Sequence, residues 1–106
     1  MTNPHALDIT RMADGGLAVG GELDYTNATE LTAAFAELRL DPGATLALDL
    51  GELGFCDSSG LSVLLAAYKR LAGLGGRLLV TAIDPNLARM LAITGLAELF
   101  TPRAQP

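Results

Sequence analysis

The side chains that most often build metal centres and nucleophilic active sites are nearly absent from this sequence. Its 106 residues include one cysteine, Cys56, and one histidine, His5. An internal disulfide is therefore impossible, and a metal ion would find only scattered carboxylates as ligands. A nucleophilic serine would also lack a base, because His5 belongs to the polar N-terminal segment and Lys69 lies ~16 Å along a helix from Ser58. The sequence predicts a protein that is not an enzyme and that holds no metal and no cofactor.

Positive charge is scarce as well. Seven Lys and Arg residues stand against twelve Asp and Glu residues, which gives a net charge of -5 and a pI near 4.5. Polyanions are repelled at long range by such a chain, so the composition excludes nucleic acid and anionic membrane surfaces as partners. A basic protein surface is the favoured partner.

Long apolar runs are also missing. No uncharged apolar stretch approaches the ~20 residues that cross a bilayer. The N-terminus has no basic segment followed by an apolar run, as a secretory signal would have. Together with the lone cysteine, these absences predict a cytoplasmic protein.

Tryptophan is absent and aromatic residues make up 5% of the chain, whereas half of the residues are hydrophobic. The core should therefore consist of Leu, Ala, Val and Ile, which suits the packing of helices on a sheet. A chain of this length supports one modest core. We expect a single domain over residues 1–106, with residues 1–6 and 102–106 disordered.

Apolar residues recur at a period of two in some segments and at three to four in others, which predicts strands and helices. Asp14-Gly15 between the first two runs is typical of a tight hairpin turn. The almost continuously apolar segment Arg77–Ile83 is typical of a strand covered on both faces. The predicted elements are strands over 7–12 and 17–23, a helix from Asn27 to the stop at 41–43, a strand over 44–50, a helix from 57 to 73–76, a strand over 77–83, a short helix between Asp84 and Gly95, and a possible edge strand over 97–101.

Strands that alternate with helices predict an α/β fold, because parallel strands need crossover connections. We expect a mixed, mostly parallel sheet of four to five strands, with an N-terminal antiparallel hairpin and about three helices. Two helix starts have sequence signals of their own. Asn27 with Glu30 resembles a capping box, and Asp84-Pro85 combines an N-cap with a first-turn proline.

Two polar clusters follow predicted strands, Asp24-Tyr25-Thr26 and Asp57-Ser58-Ser59-Gly60. Because sites in such sheets gather beyond the carboxyl ends of the strands, we expect both clusters on one edge, with Asp49 beneath them. The second cluster is typical of a helix N-cap, and the same helix start would accept a phosphate. Dipole stabilisation of that phosphate is ~0.3–1 kcal/mol and is offset in part by Asp57, so phosphorylation should change the affinity of a partner and leave the fold intact.

Four short motifs resemble those of STAS domains of the anti-sigma factor antagonist type. They are Gly21-Glu22-Leu23-Asp24, Leu48-Asp49-Leu50, Phe55-Cys56-Asp57-Ser58 and Asp57 to Leu61. Their order and spacing agree with that family over nearly the whole chain. The resemblance implies a STAS fold and a switch that works without catalysis.

In this family the unphosphorylated protein binds an anti-sigma factor, a serine kinase of the GHKL type, and thereby frees a sigma factor. The resemblance implies that the kinase phosphorylates Ser58, that a PP2C-type phosphatase reverses this, and that Asp24 helps to dock the kinase. The residues implied in partner binding are Asp24, Asp57, Ser58, Ser59 and Gly60.

Helical phase favours a different acceptor. An apolar stripe extended backward from Leu61 puts Asp57 and Ser58 on the core side and Ser59 nearer solvent. Ser58 is therefore preferred by resemblance and Ser59 by phase, and both stay open at this point.

Two other functions use the same edge. The chain could be a scaffold subunit of a stressosome-like or lipid-transport complex, in which the serine is never modified. Nucleotide binding or hydrolysis is the weaker alternative, because Gly73–Gly76 ends a helix and no phosphate loop begins one. Outside the edge, we expect Cys56 to be a buried small hydrophobe, Tyr68 to join the core, and Lys69 and Arg70 to form a solvated helix face.

Overall fold

The computed structural model describes residues 6–100 and contains one four-stranded sheet with helices packed against it. The predicted disorder at 1–6 and 102–106 falls, apart from Ala6, outside the described residues. The elements in chain order are β1 (Leu7–Arg11), β2 (Leu17–Leu23), α1 (Ala28–Ala36), β3 (Thr45–Cys56), α2 (Ser58–Gly73), β4 (Arg77–Ile83), α3 (Pro85–Thr94) and α4 (Ala97–Phe100).

The strands lie side by side in the order β1-β2-β3-β4. β1 pairs antiparallel with β2 through the predicted hairpin, and the other two pairings are parallel. The α/β class and the mixed, mostly parallel sheet are therefore confirmed. Because β2, β3 and β4 run in the same direction, their carboxyl ends meet at one edge, and α1, α2 and α3 begin there.

The core lies on one face of the sheet. Leu46, Leu48 and Leu50 of β3 are buried, while Ala47 and Asp49 between them are half-buried. The buried leucines of the helices join those of β3 in one continuous cluster. The opposite face of the sheet has no helix layer over it among residues 6–100.

The prediction that β4 is covered on both faces is wrong. Within β4 only Val80 is fully buried, and Arg77 and Thr81 are exposed. β4 is the last strand of the sheet, and helices cover only one of its faces. A continuous apolar run therefore does not show that a strand is covered on both faces when that strand lies at the edge of the sheet.

The possible edge strand over 97–101 is also wrong, because residues 97–100 form α4. Gly95 ends α3 in the left-handed conformation, at φ 82°. The chain then turns back over the core, where Phe100 is fully buried and meets Tyr68 edge to face at 6.2 Å between ring centroids. A strand beside β4 would have led Phe100 away from this contact. Tyr68 packs against the core, as expected.

Two further boundaries differ from the prediction. β3 continues to Cys56, six residues beyond the predicted end at Leu50, because its last residues stay paired with β2 up to Leu23. α1 ends at Ala36, before the predicted stop at 41–43. Its C-terminus is held by Arg70 of α2, whose guanidinium donates hydrogen bonds to the carbonyl oxygens of Phe35 (2.7 Å) and Leu38 (3.1 Å). Arg70 is therefore more than part of a solvated face.

Candidate functional site

The two predicted polar clusters lie side by side at the edge where the parallel strands end. Leu23 at the end of β2 is paired with Cys56 at the end of β3. Asp24 and Asp57 follow directly, so each opens a loop on a neighbouring strand. A hydrogen bond from the Asp57 N–H to the Leu23 carbonyl oxygen, at 3.1 Å, closes the ladder at this point.

Asp57 joins the two loops through its carboxylate. One oxygen, Oδ1, accepts a hydrogen bond from the Gly60 N–H at 3.0 Å, which makes Asp57 the N-cap of α2 as predicted. The other oxygen, Oδ2, accepts from the Tyr25 N–H at 3.0 Å, in the loop after β2. Charged acceptors make strong hydrogen bonds with backbone N–H groups. Asp57 therefore fixes the position of the Asp24 loop relative to the start of α2.

The loop after β2 is held by its own side chains. Asp24 Oδ1 accepts hydrogen bonds from both the N–H (2.9 Å) and the hydroxyl of Thr26. Asn27 is buried, and its amide accepts from the Asp24 N–H and donates to the Glu22 carbonyl oxygen, each at 2.9 Å. The predicted capping box between Asn27 and Glu30 is wrong, because the Asn27 side chain is turned toward β2 and caps no helix N–H.

The first turn of α2 exposes Ser58 and half-buries Ser59. This is the reverse of the expectation from helical phase. The fully buried positions of α2 are Gly60, Leu64, Ala67 and Leu71. Ser58 lies two residues before Gly60, about 200° around the helix, and therefore points away from the core. Leu61, the first apolar residue of the predicted stripe, is only half-buried.

Gly60 lies directly beneath this turn and has a packing role. A Cβ at position 60 would come within 2.6 Å of Leu23 Cγ and 2.7 Å of Cys56 Sγ, closer than such atoms can approach. The missing side chain lets α2 begin directly on the ends of β2 and β3. This contact holds the Ser58 hydroxyl at the sheet edge.

Cys56 is buried, as predicted, and its thiol is unreactive at neutral pH. Burial, and secondly the charge of Asp57, raise the pKa of its thiol from 9.0 to about 12. The thiol is therefore protonated at neutral pH, and the protonated form is a poor nucleophile and metal ligand. Over residues 6–100 no cluster of three or more His, Cys, Asp or Glu side chains could hold a metal ion.

Asp49 does not lie beneath the two clusters, contrary to expectation. It is paired with Ala18 and Ala82 in the middle of the sheet, on the face without helices. Ala18 precedes Asp24 by six residues, or ~20 Å along a strand. The bulges in β3 and its extra length after Leu50 place the polar clusters well beyond Asp49. The Asp49 carboxylate accepts a hydrogen bond from the Gly51 N–H at 2.9 Å instead.

A third aspartate follows a parallel strand on the same side of the sheet, set back from the other two because β4 ends beside Leu50. Its sequence signal indicates only a helix cap. Asp84 follows β4, and its Oδ1 accepts from the Asn86 N–H at 2.8 Å. Its Oδ2 lies 4.0 Å from the position of a Cβ built on Gly54, close to the end of β3. The pattern of a strand, an aspartate and a helix therefore occurs three times, at Asp24, Asp57 and Asp84. This repetition was the signal that could have placed Asp84 at the site.

The edge is negatively charged throughout. The segments 22–27, 55–62 and 83–87, which form it, include four carboxylates and three serines and no Lys or Arg. Its chemistry is that of an exposed hydroxyl among carboxylates, with the N-terminus of α2 behind it.

None of the described helices is long and apolar enough to cross a membrane.

The sequence matches a protein family described as "Mlab, STAS domain" over residues 7–101. It is 32% identical over 82 residues to the anti-sigma-B factor antagonist of Listeria monocytogenes, a match that covers 77% of this chain and 72% of the relative. The fold is similar to the crystal structure of an anti-sigma factor antagonist from Mycobacterium paratuberculosis, with a TM-score of 0.78 at 28% identity over 99% of this chain and 92% of the other. It is also similar to SpoIIAA in its unphosphorylated form, with a TM-score of 0.65 at 19% identity over 94% and 90% of the two chains. The chain therefore belongs to the STAS-domain family, and the relatives that it resembles are anti-sigma factor antagonists.

Proposed function

We propose that this protein is an anti-sigma factor antagonist whose binding is switched by phosphorylation of Ser58. In the unphosphorylated state it binds a GHKL-type anti-sigma factor kinase and releases the sigma factor held by that kinase. Phosphorylation ends this binding, and a PP2C-type phosphatase restores it. The observation that carries the proposal is the exposure of Ser58 at the first residue of α2, on the edge that it shares with Asp24 and Asp57.

The kinase supplies the chemistry in this proposal. The Cys56 thiol two residues before Ser58 is buried and protonated, and the Asp57 carboxylate is already engaged by two backbone N–H groups, so neither serves as a base for the hydroxyl. Ser58 is therefore an acceptor hydroxyl. In this proposal Asp24 in the adjacent loop helps to dock the kinase.

The magnitudes explain why a phosphate would switch binding and leave the fold intact. At the start of α2 a phosphate gains ~0.3–1 kcal/mol from the helix dipole, and Asp57 offsets part of it. In the complex, a kinase must hold the γ-phosphate of ATP beside the Ser58 hydroxyl. A phosphoserine then brings about two more negative charges to that place, at a cost of several kcal/mol, and each ~1.4 kcal/mol weakens affinity tenfold.

Phosphorylation of matched variants tests the acceptor. Each GHKL-type anti-sigma factor of the source genome is purified and incubated with ATP and with wild type, Ser58→Ala or Ser59→Ala, and phosphate is located by mass spectrometry. We expect one phosphate on wild type and on Ser59→Ala and none on Ser58→Ala. Phosphorylation of Ser58→Ala to the wild-type level would contradict the assignment.

Calorimetry with the same kinase tests the switch. Ser58→Asp should bind the kinase at least about tenfold more weakly than wild type, because it places a carboxylate where the phosphate would stand. Equal affinity, together with a large complex that persists after phosphorylation, would favour the scaffold function instead.

A further inference from the structure

Three large hydrophobic side chains are exposed among residues 6–100, and two of them lie at the Ser58 edge. Tyr25 is 78% exposed and Phe55 is 45% exposed, while the third, Ile93, is 80% exposed near the end of α3. Tyr25 is in the loop that Asp57 holds, and Phe55 is three residues before Ser58. The two aromatic residues therefore accompany the predicted acceptor on neighbouring strand ends.

The backbone under both aromatic residues is fixed. The Tyr25 N–H is bound to Asp57, and the next two N–H groups along the loop are bound to Asp24. Phe55 is paired with Glu22 in the β2–β3 ladder. Aromatic side chains on an ordered backbone lose little conformational entropy on binding, which is why Tyr and Phe are suited to anchor an interface. A ring as exposed as that of Tyr25 contributes little to the core.

The charge around the Tyr25 and Phe55 rings indicates what kind of partner surface would bind them. Glu22 is paired with Phe55, and Asp24 directly precedes Tyr25. Asp57 accepts a hydrogen bond from the Tyr25 N–H, and the three edge segments carry no Lys or Arg. A partner surface with an apolar recess bordered by Lys or Arg side chains would complement both the apolar rings and the negative charge around them.

We infer that Tyr25 and Phe55 are the apolar anchors through which the anti-sigma factor binds, and that the partner receives them in an apolar recess with a basic rim. This inference rests on the proposed function and adds to it two residues that make no hydrogen bond to Ser58 and take no part in phosphoryl transfer. Their rings supply affinity, while Ser58 supplies the switch.

The test uses the anti-sigma factor kinase of the source genome that binds wild type most tightly. Its affinity is measured by calorimetry for Tyr25→Ala, Phe55→Ala and Tyr25→Phe, with Ile93→Ala as the matched control. Ile93 is equally exposed but lies ~12 Å along α3 from the edge. We expect a loss of about tenfold or more for Tyr25→Ala and about fivefold for Phe55→Ala. Tyr25→Phe and Ile93→Ala should stay within about twofold of wild type, since they keep the ring or lie off the surface.

Phosphorylation kinetics give a second readout. The KM for Tyr25→Ala as a substrate should rise by about the same factor as its dissociation constant, with kcat unchanged, because the ring binds the kinase without touching the reacting atoms. Circular dichroism and thermal unfolding confirm that each variant is folded.

The outcomes separate the inference from the function on which it rests. Wild type that binds no GHKL-type anti-sigma factor of the source genome would contradict the proposed function, and the inference with it. Wild type that binds, with Tyr25→Ala and Phe55→Ala within about twofold of it, would overturn the inference alone. An equal loss in Ile93→Ala would also overturn it, because the effect would then be unrelated to this surface.

Discussion

Gly60 is the residue at which the fold and the Ser58 site depend on each other most directly. Replacing it with alanine places a Cβ within 2.8 Å of atoms in Leu23 and Cys56, so α2 must move away from the strand ends. We expect Gly60→Ala to lower the free energy of unfolding by about 1–3 kcal/mol, as overpacking does. Urea denaturation measures it.

The same helix offers the control. Gly73 has no atom within 4 Å of its Cβ position and no unusual backbone angle. Gly73→Ala should leave stability unchanged or raise it by up to about 1 kcal/mol, because alanine is the better helix former. If Gly60→Ala were as stable as wild type, the close packing of α2 on the strand ends would be refuted.

Gly60 also explains why only part of the candidate site can be predicted from the sequence. That Asp24 and Asp57 share an edge follows from strand order, and the Asp57 cap follows from local chemistry, so both were predictable. The orientation of Ser58 was not, because the buried stripe of α2 begins at a glycine. Gly60 has no apolar side chain, so the pattern of apolar residues begins at Leu61, and the helical phase predicted from it is wrong.

Among the elements, α1 depends on α2 at its C-terminus. The Arg70 guanidinium donates to the carbonyl oxygens of Phe35 and Leu38, where the partial negative charge of a helix end favours a cation. We expect Arg70→Ala to lower the free energy of unfolding by about 1–2 kcal/mol, measured in urea. Arg70→Lys should recover only part of this, because a single ammonium group does not reproduce the two-pronged contact.

Lys69 is the matched control for that experiment. It is the neighbouring cation on α2 and is exposed, and no ion pair or hydrogen bond of its side chain occurs over residues 6–100. Lys69→Ala should therefore change stability by no more than about 0.5 kcal/mol. Equal effects at both positions would show that overall charge, and not the helix-end contact, sets the stability.

Elements with local signals could be predicted, and those decided by distant neighbours could not. α3 begins at Asp84-Pro85 and ends at Gly95, and each signal lies within the helix ends themselves. In β4 and α4 the sequence is apolar, but burial depends on which side the helices cover and on where Phe100 can reach Tyr68. Those contacts join segments far apart in the chain, and no local pattern encodes them.

At the scale of the whole molecule, charge is divided between the two ends of the sheet. The segments 22–27, 55–62 and 83–87 at the carboxyl ends of β2, β3 and β4 carry carboxylates and no Lys or Arg, and Arg89 follows on α3, about 6 Å along the helix from its start. At the opposite end, Asp14, Glu37 and Asp41 are mixed with cations. The cations placed there by the ends of β1, α1 and α2 and by the start of β4 are Arg11, Arg39, Lys69, Arg70 and Arg77. A basic partner is therefore drawn preferentially to the Ser58 edge.

This division predicts a position-dependent effect of charge on association rate. Asp84→Asn removes one edge charge and keeps the cap of α3, because asparagine is an equally good N-cap. We expect it to lower the association rate constant with the anti-sigma factor kinase about twofold at low salt. Asp41→Asn, at the opposite end, should leave the rate unchanged. The association rate constant is measured by stopped flow from about 20 to 300 mM salt, so that the Debye length falls from above to below the width of the acidic edge. The rate constants of the two variants should converge as the charges are screened. An equal slowing by both variants would mean that net charge alone attracts the partner and that the acidic edge does not direct it.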